Sequence, residues 1–362
     1  MATPSEPPAP AAATAATPAA ATDRGDSPLI RLRGIRRARL PAPEATGPAL
    51  APFLTALLRE AAPFIDSAAP KANLKPGSGS SPTTGAWKRK VTKTHADSAA
   101  AIEVSERWVE TPASPTEDGG GSKSGRTKEM WCARRSVHED AARTGSASWA
   151  EFDRAFRTDH AASELAFTPN ALAAHEAVVW DCAGVNVGLP SPSPSDGDAA
   201  TYGNFRLAIM EMRHRVGTGL KDRTFPVLQM SCYAVSPGTD AGTATGGGGD
   251  QKVEDEFFVI SVPVPDFGDD PRSKLAAEPD ALVAAYVSVE RIRKLPAVGE
   301  DGKGGAAGSG GSIEWLMATA GDAGGILPAW IQNIAMPAVI WKDVPLFLSW
   351  IAKERVKSGG VK

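Results

Sequence analysis

The sequence predicts an α+β domain in which an antiparallel sheet packs on a long C-terminal helix, and three observations carry that prediction. Gly311 to Thr319 alternates in character, with Ile313, Trp315 and Met317 on one face of a short strand. Gly324-Gly325 then breaks the strand, and Pro328 stands where a first helical turn tolerates proline. Beyond it Leu327, Trp330, Ile331, Ile334, Ala338 and Trp341 recur at three- and four-residue spacing. A helix from Pro328 to Ile351 would run roughly 36 Å at 1.5 Å per residue, enough to lie across a whole sheet. A strongly curved sheet closed over such a helix makes a container, so the pattern bears on function as well as fold.

The other elements follow in order. Pro48 to Ile65 reads as a helix with Leu50, Phe53, Leu54, Leu57, Leu58 and Ala61 on one stripe. Trp87–Thr94, Ile102–Glu110 and Lys128–Val137 are strand candidates. Ser148-Trp149-Ala150-Glu151 is a capping box that opens a second helix, whose buried side is Trp149, Phe152 and Phe156. Strand candidates then continue at Glu176–Cys182, Asn204–Val216, Thr224–Val235, Asp255–Val264, Ala284–Ile292 and Ser312–Thr319. In the last helix Pro337 and Pro345 are expected to kink or split the rod, with Asp343 capping its second half.

Gly/Ser/Pro-rich stretches at 76–86, 111–127, 190–202, 236–250 and 296–311 fall in the gaps between the candidate strands. Lengthening a surface loop costs only about 0.6 kcal/mol per doubling. Their placement therefore predicts swollen hairpin loops on one domain spanning 28–358, not linkers between domains. The first 27 residues, almost all Ala, Pro, Thr and Ser, read as a disordered tail.

A net charge of −3 gives no whole-chain attraction to nucleic acid or anionic lipid. The one basic cluster is Arg31, Arg33, Arg36, Arg37 and Arg39. It reads as a solvated edge entering the fold, with phosphate steering or an import signal as the alternatives. No apolar run reaches membrane-spanning length, and no signal-peptide core is present. Cys132, Cys182 and Cys232 are too widely spaced for a zinc knuckle or a disulfide framework. Buried reduced thiols in a cytoplasmic setting are expected. No cofactor or metal is expected: there is no His-x-x-His pair, nucleophile elbow or phosphate loop.

The chain resembles the START-like, helix-grip superfamily and, within it, a fungal family of START-like domains with no assigned function. The stretches that carry the likeness are Trp131 through His138, Ser148 through Phe152, Glu211 through His214 with Arg223 through Leu228, Trp315 through Trp330, and Lys342 through Trp350. The C-terminal stretch is the most specific of these. The resemblance implies a curved antiparallel sheet wrapped around a long C-terminal helix, with an internal cavity for a lipid or another apolar molecule. It also implies that some relatives cyclise polyketides. It supplies no catalytic residue. The long glycine-rich insertions and the proline in the last helix depart from the pattern.

A container needs an apolar lining and a few polar groups to orient its guest. Candidate ligand-binding residues are Trp131 and Arg134 on the third strand, Met210, Glu211, Met212 and His214 on the central strand, and Phe225 and Leu228 on the next. Trp315 and Met317 follow on the last strand, with Trp330, Ile334 and Trp341 on the helix. For each, an ordinary core position is the alternative. Glu211 paired with Arg134 or Arg213 would mark a polar end of a tunnel, whereas strand-end exposure to solvent is the bland reading. His160 reads as a hydrogen-bonded core or helix-end residue. His138 and His214 could converge in space. The expected function is non-enzymatic binding, and transfer, of a hydrophobic small molecule or lipid, with transient membrane contact and no nucleic acid. Rival readings are a cyclase or hydrolase in the same cavity and an interaction module whose cavity has collapsed.

Overall fold

The computed structural model of the protein describes residues 28–69, 86–111, 127–190, 200–217, 219–236, 252–295, 311–324 and 336–359. Helix α1 (Ala51–Asp66) precedes strands β1 (Lys88–His95), β2 (Ser98–Thr111) and β3 (Thr127–Glu139). Helix α2 (Trp149–Asp153), one π turn (Arg154–Thr158) and helix α3 (His160–Phe167) come next. Strands β4 (Ala171–Trp180), β5 (Val187–Leu189), β6 (Ala200–His214), β7 (Arg223–Ser236), β8 (Lys252–Pro263), β9 (Leu282–Val283), β10 (Ala285–Leu295) and β11 (Ser312–Asp322) complete the sheet. Helix α4 (Asp343–Lys357) follows.

The main path of the sheet runs β1-β2-β3-β11-β10-β8-β7-β6-β4, all neighbours antiparallel, with β5 beside β6 and β9 parallel to β7. The last strand thus returns to pair with the third. The path has two ends, so the sheet is open and not closed into a wall around the helix. Edge strand β1 carries Lys88, Arg89, Lys90 and Lys93.

The segments 112–126, 237–251 and 296–310 each join two antiparallel neighbours, β2 with β3, β7 with β8 and β10 with β11. Hairpin connections were expected there. The segments themselves, like the tail at 1–27 and most of the other Gly/Ser/Pro-rich stretches, lie outside the described residues.

The sheet is buried on both faces, and the parity of each strand decides which helix a side chain meets. One face takes α1. There Leu54, Leu57, Leu58, Ala61 and Ile65 pack on Trp131, Leu316, Val289, Phe258, Ile260, Leu228 and Ile209. Gly34, at a φ of 68° that suits glycine, brings the N-terminal segment to the end of β8, where Ile35 N donates to Pro263 O at 2.8 Å. A Cβ at that position would lie 2.0 Å from the same oxygen.

The other face takes α2, the π turn, α3 and α4. Phe152, Phe156, Phe167, Val344, Phe347 and Leu348 close over Trp315, Phe257 and Ile292. Phe347 centres this cluster, with ring centroids 4.8 Å from Phe156, 5.1 Å from Phe152 and 5.5 Å from Trp315. The capping box forms as read: Ser148 N donates to the Glu151 carboxylate at 2.8 Å. The same carboxylate receives Arg355 of α4 through Nε and Nη2, both at 2.7 Å.

The C-terminal rod is interrupted, as the prolines in it led one to expect. A 3-10 turn at Ile340–Lys342 separates α4 from a helical turn at 336–339. The break falls there and not at Pro345, which sits third in α4. In a first turn no N–H needs an intrahelical acceptor, so proline costs nothing. Asp343 is the first helical residue and its carboxylate turns towards β3 instead of capping the helix. Trp330 and Ile334 lie outside the described residues.

Among the arginines of the 31–39 cluster, Arg36 and Arg37 face Asp266 and Asp270, at 4.0 and 3.5 Å. Burial lowers the Arg31 guanidinium against the pull of Glu129 and Glu60. Only Arg36 and Arg39 are the solvated edge expected; Arg31, Arg33 and Arg37 are half-buried where the segment enters the fold. No helix among the described residues is long and apolar enough to cross a membrane.

Candidate functional site

Strand register lines up the side chains of the α4 face into rows. Arg134, Met317, Glu290, Val259 and Ser231 stand opposite one another across β3, β11, β10, β8 and β7. The next row is Cys132, Thr319, Ser288, Ser261 and Gln229, nearly all short and polar. Beyond it come Tyr286, Val227 and Met210, then Phe225 and Met212. Most of the face is sealed. Met317, Ser288, Gln229, Tyr286 and Phe225 are only half-buried, although they lie on strands well inside an eleven-stranded sheet. A surface of thioether, ring and hydroxyl therefore stays partly uncovered between α3 and the start of α4.

A charged cluster borders that surface. The Arg134 guanidinium is 2% exposed, lies 3.9 Å over the Trp315 ring and donates through Nη2 to Glu290 Oε1 at 3.2 Å. Trp315 Nε1 donates to the same oxygen at 2.5 Å. Asp343 Oδ2 is 3.6 Å from Arg134 Nε, too long for a hydrogen bond. Nε and Nη1 of Arg134 have no hydrogen-bond partner among the described residues, and neither has Ser231 Oγ in the same row. From α3, Glu164 stands 3.5 Å from His160 Nε2 and 3.6 Å from His214 Nε2.

The titration of these groups follows from their neighbours. Burial, then Glu164 and Glu290, push the Asp343 carboxyl up to about 6 against the pull of Arg134. Burial alone would lower the His160 imidazole, but Glu164 and Glu290 outweigh it and raise it. Glu164 moves down in return, its burial outweighed by His160 and His214. His138, packed on Phe152 and Trp315 and joined to Ser136 Oγ at 2.8 Å, is brought down to about 4 by burial and by Arg134.

Eight of the residues singled out from the sequence share this face: Arg134, Met210, Met212, His214, Phe225, Trp315, Met317 and Trp341. Three do not. Trp131 meets Phe64 of α1 edge to face, with ring centroids 4.6 Å apart, and Leu228 packs in the same α1-side core. Glu211 also points to that side. It accepts from Ser273 Oγ at 2.6 Å and from the backbone N–H groups of Lys274, Leu275 and Ala276 at 2.8, 3.0 and 2.9 Å. A Glu211–Arg134 pair is ruled out because the two lie on opposite faces, and Arg213 binds Glu278 and Leu275 O instead. His138 and His214 keep separate partners. His160 is the hydrogen-bonded helix-end residue expected, with Nδ1 2.8 Å from Phe156 O. All three cysteines are buried and free, with Cys132 raised by burial to about 12.

Residues passed over in the sequence complete the site: Glu290, Glu164, Gln229, Tyr286 and Ser288. Tyr286, Ser288 and Glu290 alternate inside an apolar strand, the same signal that drew attention to Glu211.

The fold and site together define a large antiparallel sheet with a C-terminal helix on one face and an amphipathic, partly uncovered surface beside it. A family model described as "Protein of unknown function (DUF3074)" matches residues 131–351, well over half of the chain, and the chain belongs to that family. Among solved structures it is similar to human STARD10, at 10% identity over 83% of this chain and 82% of that one, with a TM-score of 0.39. It is also similar to the human StarD13 (DLC2) lipid transfer and protein localization domain, at 11% identity over 73% and 88%, with a TM-score of 0.35. No curated protein matches significantly.

Proposed function

We propose that the chain binds a lipid-like or other amphipathic small molecule on the α4 face, in a cavity of the helix-grip, START-like kind, and that binding is not enzymatic. One observation carries the reading: Met317, Ser288, Gln229, Tyr286 and Phe225 are half-buried in mid-sheet, on the same face as a buried guanidinium whose Nε and Nη1 have no hydrogen-bond partner among the described residues. Buried donors without acceptors are costly, and apolar surface left uncovered in an interior is costly too. A guest with an apolar body and an oxygen-bearing head relieves both. At ~0.8 kcal/mol per buried CH₂, a sixteen-carbon chain would gain roughly 12 kcal/mol before entropy losses. Thioethers at Met210, Met212 and Met317 adapt to varied guests.

A hydrolase reading draws on the Ser136–His138 hydrogen bond, a nucleophile beside a base. Both residues are buried and the imidazole is packed under aromatic rings, so binding is the reading preferred. Transfer between membranes would be the use of such binding.

Native mass spectrometry of the purified full chain tests the proposal, together with uptake of a fluorescent fatty acyl probe. A co-purified apolar molecule, displaced in Ser288→Trp while the circular dichroism stays unchanged, is the expected result. A folded protein that carries no guest and takes up no probe would refute it.

A further inference from the structure

We infer that the guest's head carries a protonated amine, seated among Asp343, Glu164 and Glu290, with an oxygen of the same head turned to Arg134. The inference rests on the binding reading above and deepens it.

Facing Asp343 are Arg134 from β3, Glu290 from β10 and Glu164 from α3, and Glu164 holds His160 and His214 around it. Three carboxylates thus meet one permanent cation. That cation is already engaged: its Nη2 goes to Glu290 and its face to Trp315. The imidazoles are both set on Glu164. Among the described residues Asp343 keeps only the loose 3.6 Å contact, and Glu164 and Glu290 make its ionisation harder still. The field at that place is negative. An added cation relieves it, and an added carboxylate would compete with Glu290 for Arg134 while facing Glu164.

An acidic cluster by itself is a solvated surface as often as a site. Here a second observation points to a ligand. Arg134 is 2% exposed, and its Nε and Nη1 lack acceptors among the described residues. Buried N–H groups are almost always paired. A hydroxyl, carbonyl or phosphoryl oxygen next to the amine would pair them. The uncovered surface of Met317, Tyr286 and Phe225 then receives the chain.

Binding of dodecylamine, 1-dodecanol and dodecanoate to the full-length protein, followed by calorimetry, tests the inference at constant chain length. The amine is expected to bind at least about tenfold tighter than the alcohol, with the carboxylate weakest. In Asp343→Asn the amine should lose that advantage while the alcohol keeps its affinity. For the native protein the amine's affinity should fall roughly tenfold from pH 7 to pH 5, as Asp343 takes up a proton; the amine itself stays charged throughout. Dodecylphosphoethanolamine separates the sources: parity with dodecylamine assigns the amine to a phospholipid head, and weaker binding assigns it to a free long-chain base. Should the alcohol or the carboxylate match the amine, or the amine's affinity prove flat with pH, the inference is overturned and the binding reading stands. Should none of the four bind, the binding reading falls with it.

Discussion

Glu211 shows how a buried carboxylate is made safe by geometry alone. One hydroxyl and three backbone N–H groups of the 273–276 loop converge on it. Burial works against the charge, yet these donors outweigh it and hold the pKa below its ordinary value. A depressed carboxylate contributes stability that is present above its unfolded pKa and lost as pH falls through the folded one. Glu211→Gln is therefore expected to cost about 1–3 kcal/mol in urea unfolding at neutral pH, with the difference narrowing on acidification. Asp343 has the opposite sign. Its pKa is raised to about 6, so the folded state holds the extra proton, and stability drains away as pH climbs from the unfolded value through 6. Asp343→Asn should be more stable than the native chain above pH 6, by less than about 1 kcal/mol because over a third of the side chain faces screening water. A destabilised Asp343→Asn at pH 7.5 would show the Arg134 contact to outweigh its surroundings.

At the scale of elements, α4 is held at two places by different forces. Phe347 fills the aromatic cluster, and Phe347→Ala is expected to cost about 3–5 kcal/mol, read as a fall in melting temperature. Arg355 clamps the C-terminal half to the capping box of α2. Arg355→Ala should cost about 1–3 kcal/mol and speed amide exchange in α4 before the strands respond. Much of this was legible in the sequence. The alternation of Ile313, Trp315 and Met317 gave both a strand and its face, and Ser148 with Glu151 gave a helix start. Period two also separates Trp131 from Arg134 and Phe225 from Leu228. Sequence alone does not say which parity meets which helix, because α1 and α4 both demand apolar partners from one doubly buried sheet. The charged cluster was less legible still. Glu164, Glu290 and Asp343 lie on three elements far apart in the chain; only the folded sheet and the helices on it bring Glu290 and Asp343 to one guanidinium and Glu164 near Asp343.

For the whole molecule the governing fact is a single sheet sandwiched between two unlike coverings. The α1 side is locked by ions as well as by packing: Arg291, fully buried, joins Asp66, Ala69 O and Glu314, and Glu314 also holds Arg135 and Arg293. The α4 side alone leaves surface unfilled, so the two faces divide anchoring from reception. Thr111 pairs with Thr127, and Leu295 with Ser312, so these hairpins are closed before their connections begin. Replacing 112–126 and 296–310 by short turns should leave the unfolding midpoint nearly unchanged, since loop length enters only logarithmically. A large drop would mean that those segments contribute contacts. A ribbon whose margin is bare among the described residues invites other copies to extend it into fibres, and the lysines and arginine along β1, of which Arg89 and Lys90 are paired with Glu103 and Glu106, disfavour such a recruit. Neutralise that fringe, and the same protein should begin to polymerise edge on edge.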